Sequence, residues 1–454
     1  MQTETPMRHL SLLLLPLILT GCATSAPPKS VADDAVPTLD VRRGPASTRA
    51  LNDIATDYVR LSLEIGTHED GYIDAYYGPA AVKTAAEAAP RDKAALLAAT
   101  RDLTARLDLA ARRLSDPLDR RRAAFLGAQL RAAETRLLMM QGTRFAFADE
   151  AERLFGVRPR LKPLTSYDAG LAKIEALVPG DGPLWQRVEA YLDRFTIPKN
   201  RLQKVFDVAI ARCRGRSAAH IAMPADESFR LEFVTGKSWS GYNYYQGGYH
   251  SLIQVNTDLP IRLSRALDLG CHEGYPGHHL LNMKLEEHLT KGRGWTEFAV
   301  YPLYSPQSLI AEGSANYGID LAFPGESRAD TERDVLMPLA EIAVPADDRY
   351  WELLKAIKQV SGARLTVAQQ YLDGAIDRPT ADALTQKYML VSPERADQSV
   401  RFTEQYRSYV INYGLGEQLV QAYIERGKPG REEMWRRMAK ILSEPTLPAD
   451  LLPR

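Results

Sequence analysis

Four of the chain's eight histidines fall between positions 272 and 288. The densest stretch reads His272-Glu273-Gly274-Tyr275-Pro276-Gly277-His278-His279. Imidazoles beside a carboxylate are the ingredients of a divalent-metal site in which histidines ligate and a glutamate moves protons. The familiar zinc spacing is HExxH, with both histidines on one helical face a turn apart. Here Pro276 stands four residues after His272, and the candidate second histidines stand six and seven residues on. On an unbroken helix His279 returns to the face of His272, but about 10.5 Å along the axis. Ligands about 2.0–2.1 Å from zinc need donor nitrogens about 3–3.5 Å apart, so a straight helix cannot close the site. Pro276 removes the N–H that would bond the carbonyl of His272, and Gly277 admits unusual dihedrals. The pattern predicts a bulge or loop there that returns His278 to His272, as in an HExGH motif with extra residues. His279 is the alternative second ligand.

A third ligand should be a carboxylate on a later helix. Ser305 and Pro306 read as the N-cap and first position of one. Inside it lies Glu312-Gly313-Ser314-Ala315-Asn316-Tyr317, with Phe323-Pro324-Gly325 as its end. A His272/His278/Glu312 set leaves one coordination position open, the arrangement of a catalytic Zn(2+) site, one ion per chain. Glu273 is then the general base that activates metal-bound water and passes the proton to the leaving amine. Cys271 directly precedes His272, but neighbours on a helix point about 100° apart and rarely share an ion. It reads as a buried, passive thiol. Pairing with Cys213 stays open, since two thiols in so long a chain make no disulfide framework.

The elements that must position these residues are mostly helical. Leu51, Ile54, Tyr58, Leu61 and Ile65 recur at helical spacing. A long Ala/Leu/Arg-rich stretch covers about 92–141, interrupted near Ser115-Asp116-Pro117. Further helical patterns span 147–155, 167–178, 183–195 and 199–213, and helices resume from about 261 to about 442. The basic clusters Arg112-Arg113 and Arg120–Arg122 read as solvated helix faces. Between about 228 and 260 the period changes to two. Residues 229–234 alternate, a Gly- and Tyr-rich loop covers 241–248, and residues 251–257 read as a second strand. Ile253, Val255 and Asn256 on that strand are candidate substrate-binding positions, if its edge pairs with an extended peptide. The expected fold class is mainly α: a large helical zinc-peptidase-like fold with a central cleft and a small β-element beside the metal-site helices.

Composition sets the outer bounds. The 454 residues are 45 % apolar and 25 % charged with a formal net charge of zero, ordinary for a globular chain. No basic field for nucleic acid is present. Arg8 and His9 precede an apolar run, Leu10 to Leu19, too short for a permanent membrane span. It ends in Leu19-Thr20-Gly21-Cys22, a lipobox pattern in which Cys22 is the lipidation site. The expected organisation is a lipoprotein signal over 1–22, a flexible tether over 23–47, one catalytic domain or two lobes about a cleft over 48–445, and a tail over 446–454. The expected location is the cell envelope, on the periplasmic face of a Gram-negative outer membrane. Membrane contact is then through the lipid anchor alone.

These residues resemble the bacterial family called domain of unknown function 885. Its HEAIPGHH hallmark is similar to HEGYPGHH at 272–279, and its EGWALY-like helix to EGSANY at 312–317. Its Asn-x-x-Asp-Leu-like turn resembles Asn256-Thr257-Asp258-Leu259. Its C-terminal arginine and Tyr-x-x-Gly resemble Arg401 and Tyr413-Gly414-Leu415-Gly416, although the Pro-Gly-Gln expected before the tyrosine is replaced by Ser408-Tyr409-Val410-Ile411. The resemblance implies a helical, gluzincin-like peptidase with His272, His278 and Glu312 as ligands and Glu273 as base. Tyr413 would then donate to the oxyanion, and Arg401 is a candidate for holding a substrate carboxylate. The expected function is a zinc metallopeptidase hydrolysing peptides in the envelope. A metal-dependent hydrolase of another amide or ester, and a non-catalytic peptide-binding lipoprotein, are the alternatives.

Overall fold

The stripe Leu51, Ile54, Tyr58, Leu61 and Ile65 is the buried face of the first helix, Ala46–Gly66, in the computed structural model of the chain. The structure describes residues 46–237 and 239–453. Cys22, the apolar run before it and all but the end of the tether lie outside those residues. Among the described residues no helix is long and apolar enough to cross a membrane.

Among the described residues the fold is mainly α, with two small sheets. The break expected near Ser115-Asp116-Pro117 is a helix start. Asp116 caps Pro117–Met140 by accepting from the N–H groups of Leu118 and Asp119, and Pro117 occupies the first turn. The basic cluster beside it is not all solvated. Arg122 is 1 % exposed. It forks onto the buried Glu297 at 2.5 and 2.9 Å and reaches Asn52 at 2.6 Å. Helical periodicity, rather than the run of charges, decides this: Arg122 falls on the same face as the buried Leu126 and Gln129.

Among the described residues five strands can be numbered in chain order: β1 Ile73–Tyr76, β2 Ser228–Val234, β3 Gly241–Gly247, β4 His250–Asn256 and β5 Val300–Pro302. β1 and β5 pair antiparallel. In the other sheet β4 is central, parallel to β2 and antiparallel to β3. The expected Gly- and Tyr-rich loop is therefore a strand. Asn243 and Tyr245 point into the core while Tyr244 is exposed, the period-two alternation of a half-buried strand. Its hairpin with β4 turns through Gly247, Gly248 and Tyr249, all at positive φ.

Three features bring the site elements together. The helix Pro306–Ala322 starts at Ser305 with Pro306 in its first turn, although the buried Ser305 hydroxyl makes no capping bond. It crosses the helix Ile411–Ile424 so closely that a Cβ on Gly313 would lie 2.5 Å from the Gly416 carbonyl. The small residues after Glu312 thus admit this C-terminal helix. Second, Cys213 and Cys271 are joined as a disulfide rather than held as free thiols. The pairing needs the helix Leu202–Ala218 to lie against the turn at 270–274, which spacing alone does not reveal. Closing a loop of 58 residues contributes roughly 4 kcal/mol in the chain-entropy account. Third, the expected irregular tail carries a short helix, Pro448–Leu451, with Leu451 buried. The Asp450 carboxylate accepts the Leu447 N–H at 2.9 Å and closes that turn.

Candidate metal centre

The chain reaches the HEGYPGHH segment through the helix Ser264–Leu269, which widens into a π-turn over Gly270–Gly274. Such a turn inserts a residue into the helical ladder and re-aims the side chains it carries. Tyr275 is extended, the Tyr275–Pro276 peptide is cis, and a new helix runs from His278 to Leu285. Gly277 donates its N–H to the carbonyl of Cys271 at 3.1 Å. A Cβ at Gly277 would sit 1.8 Å from the carbonyl oxygen of His272, so only glycine fits this fold-back.

That reversal brings His278 back beside His272, with their Nε2 atoms 3.1 Å apart. Glu312 Oε2 lies 3.2 Å from His272 Nε2 and 3.8 Å from His278 Nε2. One ligand atom from each residue falls within 4.8 Å of the others, the arrangement of a metal-binding group. His272 Nδ1 lies 3.0 Å from Asn316 Oδ1, which can only accept. The Nδ1 proton therefore faces Asn316 and the Nε2 lone pair faces the cluster. Asn316 in turn donates to the main-chain oxygen of Tyr413 at 3.1 Å. Glu312 Oε1 accepts from the Tyr409 hydroxyl at 2.8 Å, whereas its buried Oε2 has no hydrogen-bond partner. Oε2 is close enough to His272 for an ion pair but forms no aligned hydrogen bond, so it is electrostatically attracted yet unsatisfied.

His279, the alternative ligand, is fully buried on the other side of its helix. Its Nδ1 lies 2.8 Å from Ser251 Oγ and its Nε2 lies 3.1 Å from Glu227 Oε2. Adjacent helical residues point about 100° apart, so when His278 faces the cluster His279 must face the sheet. Burial would raise the Glu227 carboxyl, but His279, Tyr275 and Arg214 hold it down to about 2.

Glu273 is also buried and stands beside the cluster. Burial pushes its carboxyl up to about 7 against the pull of His272, with Glu312 and Asp74 adding repulsion. β3 passes so near that a Cβ on Gly241 would lie 2.8 Å from Glu273 Oε1, and Asn243 donates to the Glu273 carbonyl at 2.7 Å. Burial lowers both cluster histidines. For His272 the Glu312 and Glu273 carboxylates prevail and hold it at about 9, while His278 falls to about 4. Asp74 on β1 is a further carboxyl near the site that the sequence did not single out. Burial lifts it to about 7, although its carboxylate accepts from the Tyr242 hydroxyl at 3.0 Å. Burial, followed by Glu312, with Tyr413, Tyr301 and Asp74 adding, raises the Tyr409 phenol. Tyr413 is raised by burial and Glu312, with Arg364 opposing and Glu273 adding. Tyr413 is thus a neutral hydroxyl within electrostatic reach of both Glu312 and Glu273.

Other expected positions do not join the site. β4 has β2 on one edge and β3 on the other, so Ile253, Val255 and Asn256 offer no free main chain to a substrate. Ile253 and Val255 are core residues, and Asn256 donates to the carbonyls of Lys237 and Trp239. The strand beside Glu273 is β3. Arg401 lies on the solvent face of the helix Pro393–Tyr406, paired with Asp397 and 63 % exposed. Tyr409 and Asn316 were missed. Asn316 had a signal, since it stands one helical turn after Glu312 on the same face. Tyr409 had none, because its contact with Glu312 spans 97 residues of chain.

No protein-family profile matches the chain, and no curated protein matches it. Two solved structures overlap with it. One is a protein assigned as a lipoprotein from Colwellia psychrerythraea, 13 % identical, with a TM-score of 0.47 over 79 % of this chain and 71 % of that one. The other is an M32 carboxypeptidase from Deinococcus radiodurans R1, 13 % identical, with a TM-score of 0.37 over 87 % of this chain and 89 % of that one.

Proposed function

We propose that the chain is a zinc metallopeptidase of the domain of unknown function 885 kind, acting on peptides in the cell envelope behind a lipid anchor at Cys22. One observation carries the reading: the buried Glu312 Oε2 lacks a hydrogen-bond partner while two histidine Nε2 atoms face it. Two imidazoles and a carboxylate are borderline donors suited to zinc, and they leave a position for substrate or water. His272, His278 and Glu312 would hold the ion. Bound there, it supplies Lewis acidity toward a peptide carbonyl and a water molecule.

The chain's own residues do the rest. Glu273, poised near neutral pH by burial, takes a proton from the attacking water and delivers it to the leaving nitrogen. The neutral Tyr413 hydroxyl donates to the carbonyl oxygen as negative charge develops on it. Asn316 holds the His272 ring in its ligating tautomer, and Tyr409 fixes Glu312 through Oε1. The closed turn at Gly277 and the disulfide at Cys271 keep the two histidines at ligand spacing.

The test is metal analysis with peptide hydrolysis. Mature protein should carry about one zinc per chain, the stoichiometry of a mononuclear site. Glu273→Gln should retain the metal while turnover falls by about 10²- to 10⁴-fold. Full activity in that variant would sink the mechanism, and metal-free, inactive wild type would sink the whole reading.

A further inference from the structure

The helix Ala363–Leu372 carries Arg364, whose guanidinium lies over the Phe402 ring at 5.4 Å. Its buried Nε has no hydrogen-bond partner, and its guanidinium forms no ion pair among the described residues. Three other guanidiniums with buried surroundings are each paired. Arg122 faces Glu297, Arg136 faces Glu69, and Arg328 faces Asp268 and Glu332. A guanidinium stays charged, and burying it without an anion is unfavourable. Burial does push Arg364 down, with only the Tyr413 phenol opposing. An unpaired planar fork of donors is shaped for a carboxylate that the chain does not itself provide.

Its place in the fold indicates which carboxylate. Phe402 beneath Arg364 lies 6.4 Å, centroid to centroid, from the Tyr413 ring. Tyr413 lies 5.9 Å from the Tyr409 ring, and the Tyr409 hydroxyl holds the metal-site Glu312. The charges of Arg364, Glu312 and Glu273 all act on the Tyr413 phenol. A peptide advances at most about 3.3–3.6 Å per residue, so a few residues of backbone can follow this row of rings.

We propose that Arg364 holds the free C-terminal carboxylate of the substrate peptide, with the scissile carbonyl at the His272–His278–Glu312 cluster and Tyr413 between them. This rests on the peptidase reading and gives it a direction: cleavage from the C-terminus, releasing a short C-terminal fragment. In the step, the peptide C–N bond breaks. The hydroxyl of water joins the carbonyl carbon, and the water's proton passes through Glu273 to the departing nitrogen.

The experiment uses full-length, metal-loaded protein and two peptides of one sequence, one ending in a free carboxylate and one in an amide. Wild type should favour the free acid by about 10²-fold in kcat/KM, the weight of a charge-assisted fork. In Arg364→Gln that preference should collapse, mainly through KM, and Arg364→Lys should restore part of it. A readout without turnover is calorimetry. Glu273→Gln should bind the free-acid peptide more tightly than the amide, and Glu273→Gln/Arg364→Gln should not distinguish them. The Arg364→Gln fold should melt no lower than wild type, because an uncompensated charge has been removed. Equal cleavage of acid and amide by wild type, or an unchanged preference in Arg364→Gln, overturns the role of Arg364 while leaving the peptidase reading intact. Failure of both peptides, or full activity in Glu273→Gln, overturns the peptidase reading itself.

Discussion

Two histidine–carboxylate clusters grow from neighbouring residues, His278 and His279, and they differ in what is left unsatisfied. Around His279 every polar atom has a protein partner. Ser251 meets Nδ1 and Glu227 meets Nε2, while Glu227 also takes Arg214 at 2.7 Å and the Tyr275 hydroxyl. Around His278 the same residue types converge, yet Glu312 Oε2 has no hydrogen bond. Buried polar groups are satisfied as a rule, so the first cluster is complete as protein and the second leaves a ligand set open to a cation. Side-chain chemistry alone does not separate them. What separates them is whether the chain closes its own hydrogen bonds.

The sharpest way to break this contrast is to truncate each histidine in turn. His278→Ala should lose bound metal and, with it, about 10³-fold or more of peptide hydrolysis, the several kcal/mol a catalytic ion supplies. The melting temperature of the metal-free protein should change little. His279→Ala should do the reverse. It strips a partner from the buried Glu227 and opens a cavity, costing about 3 kcal/mol of stability in urea unfolding. Protein that folds should keep its metal. If His279→Ala lost the metal with stability intact, the assignment of the two roles would be reversed.

How much of this the sequence disclosed depends on the range of the interactions. The reversal at Pro276-Gly277 was legible because it is local: a missing N–H and a missing Cβ act on residues a few positions away. Glu312 was legible from the small residues that follow it and from the helix start at Ser305-Pro306. The choice of His278 over His279 became firm only with Ser251 and Glu227, which approach from the sheet. β3 was hidden because its glycines and tyrosines suit a loop as well as a strand, and only the buried Asn243 and Tyr245 reveal the alternation. With β3 absent, β4 looked like an edge. Arg401 was drawn in by the resemblance to an arginine about a dozen residues before the tyrosine, yet that spacing says nothing about which helix face meets the metal cluster. Arg364, on a separate helix, is linked to Tyr413 through the Phe402 ring, and Cys213 reaches Cys271 across 58 residues.

A smaller effect tests the support behind His272. Asn316→Ala should weaken metal binding by about 10- to 100-fold, the usual cost of losing a group that orients a ligating histidine. The fold should persist, because Asn316 is half-buried and its other bond is to one main-chain oxygen. Competition with a chromophoric chelator would measure the change. An unaltered affinity would mean that packing, rather than the Asn316 contact, sets the ring.

The gentlest probe is pH, and here the two clusters should diverge in sign. In the metal-free protein His272 is held at about 9, above its ordinary 6.5. The stability gained from that proton is fully present below 6.5 and is lost as pH rises through about 9. The same proton occupies the ligand's lone pair, so metal binding must expel it. Apparent affinity should therefore rise about tenfold per pH unit up to about 9, with about one proton released per ion at neutral pH. Glu227 is held at about 2, below its ordinary value of 4.5. Its contribution is present above 4.5 and is lost only as pH falls toward 2. Calorimetry in buffers of different ionisation enthalpy would count the protons released on metal binding, and acid unfolding would follow Glu227. Proton release that stayed flat from pH 6 to 10 would remove His272 from the ligand set, whereas the Glu227 window should be indifferent to metal throughout.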